Sequence, residues 1–139
     1  MGAAWTLGPH RVSFEAPDLL RVVPMGLLDL KLVEDMKALA LELQARYPVL
    51  YLVSDLRQCT GMEPELREAL AQNPDRSPFA GMAVFGASFA LRALSNSLSR
   101  AARLRDSPDR KPFALVDTEA EARAWISSWR EATGVLKTG

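Results

Sequence analysis

Three short apolar runs, each followed by a stripe at helical spacing, constrain this chain more than any other feature. Val49-Leu50-Tyr51-Leu52-Val53, Gly81-Met82-Ala83-Val84-Phe85-Gly86 and Phe113-Ala114-Leu115-Val116 are continuous and partly β-branched. That is the pattern of strands buried on both faces. Before, between and after them the period changes to that of an amphipathic helix. Leu32, Val33, Met36, Leu39, Ala40, Leu43 and Tyr47 form one stripe, with Asp29 as candidate N-cap and Pro48 as the stop. Pro64 at a first helical position opens a second helix to about Ala71, with Leu66 and Leu70 facing inward. Ser88 caps a third, with Leu91, Leu94, Leu98 and Ala101 as its apolar stripe. Thr118 and Glu121 have capping-box spacing for a fourth, on which Ala122, Trp125, Ile126 and Trp129 recur and Gly134 is the expected C-cap. Strands separated by helices imply parallel pairing through crossovers.

The N-terminal part follows a different rule. Residues 10–16 alternate through Val12 and Phe14, residues 19–27 are a second apolar run, and Pro17-Asp18 between them suits a tight turn. This predicts an antiparallel hairpin, with Pro24 at an edge or bulge because it cannot donate to a ladder. The expected order is β-β-α-β-α-β-α-β-α, an α/β fold with a mostly parallel sheet extended by the hairpin and about four helices. At 139 residues the chain has the size of one domain, which buries roughly 70% of its unfolded surface, and no repeat or linker divides it.

Several function classes are disfavoured by composition. Lys plus Arg equals Asp plus Glu at 17 each, so no global field draws the chain to nucleic acid or an anionic membrane. One cysteine, Cys59, and one histidine, His10, leave no disulfide and no Cys/His zinc set. No run reaches the ~20 apolar residues of a membrane span, and no secretory signal opens the chain, so a cytoplasmic protein without metal or cofactor is expected. Gly2 with Thr6 is too slight a match for myristoylation.

Gly86-Ala87-Ser88-Phe89-Ala90 at a strand-to-helix turn has part of a nucleophile elbow, but lacks the last glycine, and His10 stands in the wrong chain order for a hydrolase. Capping is the favoured role of Ser88. Asp55 ends a central strand, where receivers keep a phosphoacceptor, yet the acidic pair and lysine that such a site needs are missing. A structural Asp55, or one in a helix-facing salt bridge, is the favoured reading. Arg92, Arg100 and Arg103, followed by Arg105, Arg110 and Lys111, form a local basic excess and a candidate anion-binding face, without the interleaved aromatics of nucleic-acid binders. Trp125 and Trp129 share the phase of Ala122 and Ile126, which indicates core packing. Cys59 has no partner motif for redox chemistry and is expected in a half-buried loop.

A hairpin with Gly26 at the end of its second strand, the segment Val53-Ser54-Asp55-Leu56-Arg57 leading to Thr60-Gly61, the Ala83-Val84-Phe85-Gly86 strand and the closing Thr118-to-Trp125 helix together resemble the STAS superfamily over about residues 8–132. The likeness is to small stand-alone bacterial domains related to anti-sigma-factor antagonists. It implies a non-enzymatic regulatory domain with a protein partner. It also implies a phosphoacceptor in the loop after the central strand, where Thr60-Gly61 is the comparable pair, although Cys59 stands where an acid precedes the acceptor. Asp55, Arg57, Cys59, Thr60, Gly61 and Met62 are then the candidate partner-binding loop. A carrier of a small apolar or lipid-like ligand is the alternative, and a homodimer a further one.

Overall fold

The computed structural model describes residues 3–72, 78–93 and 113–138. Eight strands and four helices alternate along it: β1 (Ala3–Leu7), β2 (His10–Glu15), β3 (Leu19–Val23), β4 (Gly26–Leu28), α1 (Leu30–Leu43), β5 (Tyr51–Asp55), β6 (Cys59–Met62), α2 (Pro64–Gln72), β7 (Gly81–Phe85), α3 (described over 89–93), β8 (Phe113–Val116) and α4 (Glu119–Thr138). Six strands form one sheet in the order β1-β2-β3-β5-β7-β8. β1, β2 and β3 are antiparallel neighbours, while β3, β5, β7 and β8 run parallel. The mostly parallel sheet with its antiparallel N-terminal extension is therefore as the periodicity predicts. All five residues of β5 are buried, as expected of a strand covered on both sides.

Alternation sorts the side chains of this sheet between two cores. Val12, Phe14, Leu20, Val22 and Leu52 point to the face covered by α1, meeting Leu32, Met36, Leu39 and Ala40. On the same side Leu91 of α3 packs with Leu56, Cys59 and Val84. Leu19, Tyr51, Val53, Ala83 and Phe85 point the other way, against Ala122 and Ile126 of α4. Trp125 and Trp129 join that core, their rings stacked with centroids 6.3 Å apart, so their shared helical phase does mark packing.

The helix starts are read correctly from sequence. Asp29 accepts the amide of Leu32 at 2.7 Å, Ser88 that of Leu91 at 3.3 Å, and Thr118 that of Glu121 at 3.2 Å. The helix ends are not. α1 stops at Leu43, and Tyr47 reaches its core through a further turn in which its amide bonds the Leu43 carbonyl; its ring lies 4.7 Å from that of Phe14. α4 runs through Gly134 to Thr138, which corrects the expected C-cap: one glycine costs a helix about 1 kcal/mol, too little to end it. The stripe residues Leu94, Leu98 and Ala101, and most of the breaker-rich loop at 73–78, lie outside the described residues.

Three strands escape the sequence reading. β1 precedes the alternating segment and pairs with β2 from Ala3 opposite Phe14 to Leu7 opposite His10. The apolar run 19–27 divides at Pro24, so that β3 stays in the main sheet and β4 leaves it. β4 then pairs in parallel with β6, the segment expected as a loop. Pro24 thus ends a strand that is internal to the sheet and lies on no edge. The β2–β3 turn falls at the expected place, with the Ala16–Pro17 peptide cis.

Asp29 does two jobs, since its second oxygen lies 3.5 Å from Nε2 of the buried His10, whose Nδ1 accepts the Met25 amide at 3.0 Å. Asp29→Ala is expected to lower unfolding free energy by about 1 kcal/mol, as typical of a lost N-cap, measured by denaturant titration.

Candidate functional site

The parallel strands β3 and β5 end side by side, and their exits build everything that follows. Beyond them the chain pairs again as the ribbon β4–β6, with the Gly26 amide on the Gln58 carbonyl at 3.0 Å and the Glu63 amide on the Leu28 carbonyl at 2.8 Å. Gly26 opposes Cys59, Leu27 opposes Gly61 and Leu28 opposes Met62. The register therefore slips by one residue, and Thr60 is the extra residue of a bulge, exposed to solvent. Gly61 leaves room for Leu27: a Cβ there would stand 3.2 Å from Leu27 Cδ2. Leu27 itself is 54% exposed, an apolar side chain beside the bulged threonine. Met62 is half-buried.

Cys59, expected in a half-buried loop, is buried in a strand, and its thiol donates to the Gly61 carbonyl at 3.2 Å. The six residues picked out as a partner-binding loop are consequently not one exposed loop. Asp55 and Cys59 are interior, Arg57 and Thr60 face solvent, and 59–62 are paired backbone.

Asp55 is a buried carboxylate engaged on both oxygens. One oxygen accepts the Arg57 amide at 3.1 Å and Arg57 Nε at 2.9 Å; the other accepts guanidinium nitrogens of Arg57 at 2.7 Å and Arg21 at 3.1 Å. Hydrogen bonding from Arg57 holds its pKa below the usual carboxylate value, against the opposing effect of burial. Arg21 also forks onto Glu119, at 3.0 and 2.8 Å, and Arg123 bridges Glu119 to Glu15. Glu119, bonded by Arg21, and Glu15, bonded by Arg123, are likewise shifted downward. The guanidiniums of Arg21 and Arg57 lie over the Phe85 ring, at 6.0 and 5.4 Å. Gly86 admits this arrangement: at φ +74° its absent Cβ would meet Arg57 Cγ at 2.5 Å.

Nothing here assembles a nucleophile. Ser88 is a cap, Asp55 is saturated by arginine, and His10 is engaged by Met25 and Asp29. Among the described residues no group of His, Cys, Asp and Glu is placed to hold a metal ion, and no helix is long and apolar enough to cross a membrane. Arg92, the described member of the candidate anion-binding face, pairs with Asp117 and donates to the Ala87 carbonyl; Arg100 and Arg103 lie outside the described residues.

Arg11, Ser13, Arg21 and Leu27 belong to the site region but were absent from the sequence reading. The signal for the first two was available, because the alternation that buries Val12 and Phe14 puts Arg11, Ser13 and Glu15 on the other face. Leu27 carried no such signal, since its exposure follows from β4 leaving the sheet.

With that geometry in hand, the fold has recognisable relatives: it is the STAS-like, SpoIIAA-like α/β fold. It is similar to an uncharacterised protein of the DUF3478 family with a SpoIIAA-like fold from Shewanella loihica PV-4, at 17% identity and a TM-score of 0.53, over 89% of this chain and 92% of that one. It is also similar to the anti-sigma factor antagonist SpoIIAA in its unphosphorylated form, at 14% identity and a TM-score of 0.55, over 85% of this chain and 97% of that one. No protein-family model matches the sequence, and no curated protein is a significant match to it.

Two outcomes follow for the arginine–carboxylate network. Asp55→Ala leaves Arg21 and Arg57 without their shared counter-ion and should cost about 3 kcal/mol of stability, the scale of breaking a buried pair. Asp55, Glu119 and Glu15 all have folded pKa values below their unfolded ones, so the unfolded chain takes up more protons in acid. Their contribution is complete above the unfolded values near ~4 and is lost as pH falls through the folded ones. Thermal melts should be level at neutral pH and fall steeply below about pH 4. A melting temperature that rises on acidification would contradict this.

Proposed function

We propose that this chain is a non-enzymatic regulatory domain, acting as one cytoplasmic unit that binds a protein partner through the β4–β6 ribbon. The observation that carries the proposal is the exposed Leu27 lying on Gly61 beside the bulged, solvent-facing Thr60. Exposed apolar side chains rimmed by polar ones mark protein contacts, and a bulge re-aims the side chain it releases. The fold relative named as an anti-sigma factor antagonist supports an antagonist-like role. In this reading Thr60 is the phosphoacceptor, and a phosphate there adds close to two negative charges beside Leu27 and near Glu63 and Glu65, which favours release of the partner.

A carrier of an apolar or lipid-like molecule is less well supported. The described groove of about 720 Å³ is open and lined in good part by guanidinium, carboxylate and hydroxyl groups.

The test uses tagged full-length protein as bait, followed by calorimetric titration of the partner it recovers. Leu27→Asp and Thr60→Glu should each weaken binding by about tenfold, a change of about 1.4 kcal/mol. Both positions are exposed, so stability should move by no more than about 0.5 kcal/mol. Unchanged affinity in both variants would remove the ribbon as the interface.

A further inference from the structure

Among the described residues, one part of the main sheet has no cover. On the side where α4 packs, that helix lies on β5, β7 and β8, and it reaches the meander through Leu19 in their shared core, Arg130 to Asp18, Arg123 to Glu15 and, furthest from the hairpin turn, Arg21 to Glu119. Among the described residues no helix covers β1–β3 beyond that point. The open face is concave: a groove of about 720 Å³ whose wall is completed by Arg57 at the exit of β5.

Its chemistry is more specific than that of an ordinary wet sheet face. Thr6 stands opposite Arg11 across β1 and β2, and Ser13 stands opposite Arg21 across β2 and β3, so hydroxyl and guanidinium alternate in two adjacent rows. The lining holds three arginines, Arg11, Arg21 and Arg57, against one carboxylate, Asp55; with Glu119, which grips Arg21 from outside the lining, three positive less two negative leaves a net charge of +1. Asp55 is already saturated by hydrogen bonds. Arg11 is exposed and makes no ion pair among the described residues. Arg57 is held over Phe85 by its bidentate grip on Asp55, yet remains 60% exposed along its side chain.

We infer that this groove binds the phosphate monoester group of a small soluble organic molecule. A phosphate monoester carries close to two negative charges at neutral pH, which Arg11 and the exposed side of Arg57 can meet. Its three free oxygens accept more donors than the two of a carboxylate, and guanidinium forks meet phosphate bidentately. Arg11 and Arg57 supply the charge, Thr6 and Ser13 donate from their hydroxyls, and Arg21, committed to Asp55 and Glu119, fixes the floor. The volume suits a small ligand, within the roughly 300–1,000 Å³ of such sites. This inference does not depend on the ribbon as a partner surface.

Phenyl phosphate is the probe, titrated into full-length protein and followed by calorimetry and backbone-amide NMR, with benzoate as a one-charge analogue carrying the same ring. Saturable binding is expected, with amide shifts confined to residues around 4–6, 11–13, 21–25 and 57–58. Benzoate should bind at least about tenfold more weakly, because it forfeits a charge-assisted hydrogen bond. Arg11→Ala breaks no ion pair among the described residues and should weaken phenyl phosphate by about tenfold with an unchanged melting temperature. Lys31→Ala, exposed on the outer side of α1 and paired with Asp35, should leave binding as it is, as should Leu27→Asp. Unsaturable titration, shifts spread over other basic residues, equal affinity for benzoate, or full affinity in Arg11→Ala would each overturn the inference.

Discussion

A buried carboxylate at the end of the central strand organises the carboxyl edge of this sheet. Asp55 cannot be left uncompensated in the interior, and the chain surrounds it with Arg57 from its own strand exit and Arg21 from the neighbouring strand. Each arginine then acquires a second duty. Arg21 extends the network to Glu119 at the first turn of α4, which helps dock that helix on the sheet. Arg57 lies over Phe85, and only a glycine at position 86 leaves it the room. Helix placement, strand exit and the wall of the open groove are thus set by one negative charge and the geometry of its partners.

The sequence made the covered part of this fold legible and the uncovered part much less so. Leu50, Tyr51, Leu52 and Val53 read as a doubly buried strand because burial leaves its mark on residue type, and Asp29, Ser88 and Thr118 read as caps because an orphan amide needs a side-chain oxygen. β1 and the ribbon left no comparable mark. Ala3–Leu7 is largely exposed and carries two alanines, and Cys59–Met62 is a four-residue segment containing glycine, so each is a strand by virtue of its neighbour across the ladder. Asp55 reads as a structural carboxylate or a helix-facing salt bridge; its partners are instead Arg57 at the strand exit and Arg21 of the neighbouring strand, 34 residues away, a matter of tertiary register. Thr60 lies on the surface, but at a bulge of paired backbone where the sequence suggests a loop.

The two faces of the sheet are unequal. α1 and α3 cover one face, while α4 covers the β5–β8 half of the other, and the β1–β3 half of that face presents alternate polar residues to solvent. An antiparallel meander tolerates that arrangement where a parallel sheet does not, because it can keep one wet side. The change from antiparallel to parallel pairing at β3 therefore coincides with the boundary between open and covered surface on that side, and Arg21 of β3 stands on the boundary.

The ribbon is not a portable element. Its three paired positions join residues 26–28 to residues 59–62, so its closure spans the intervening α1 and β5. A two-stranded ribbon is marginal by itself, and this one has Leu28 and Cys59 anchored in the core below α3. Grafted as a peptide, the segment around Thr60 would lose both its bulge and the seat of Leu27 on Gly61. Whatever recognises that surface therefore recognises the folded domain, and local opening of the ribbon would erase the epitope while the six-stranded sheet stayed closed.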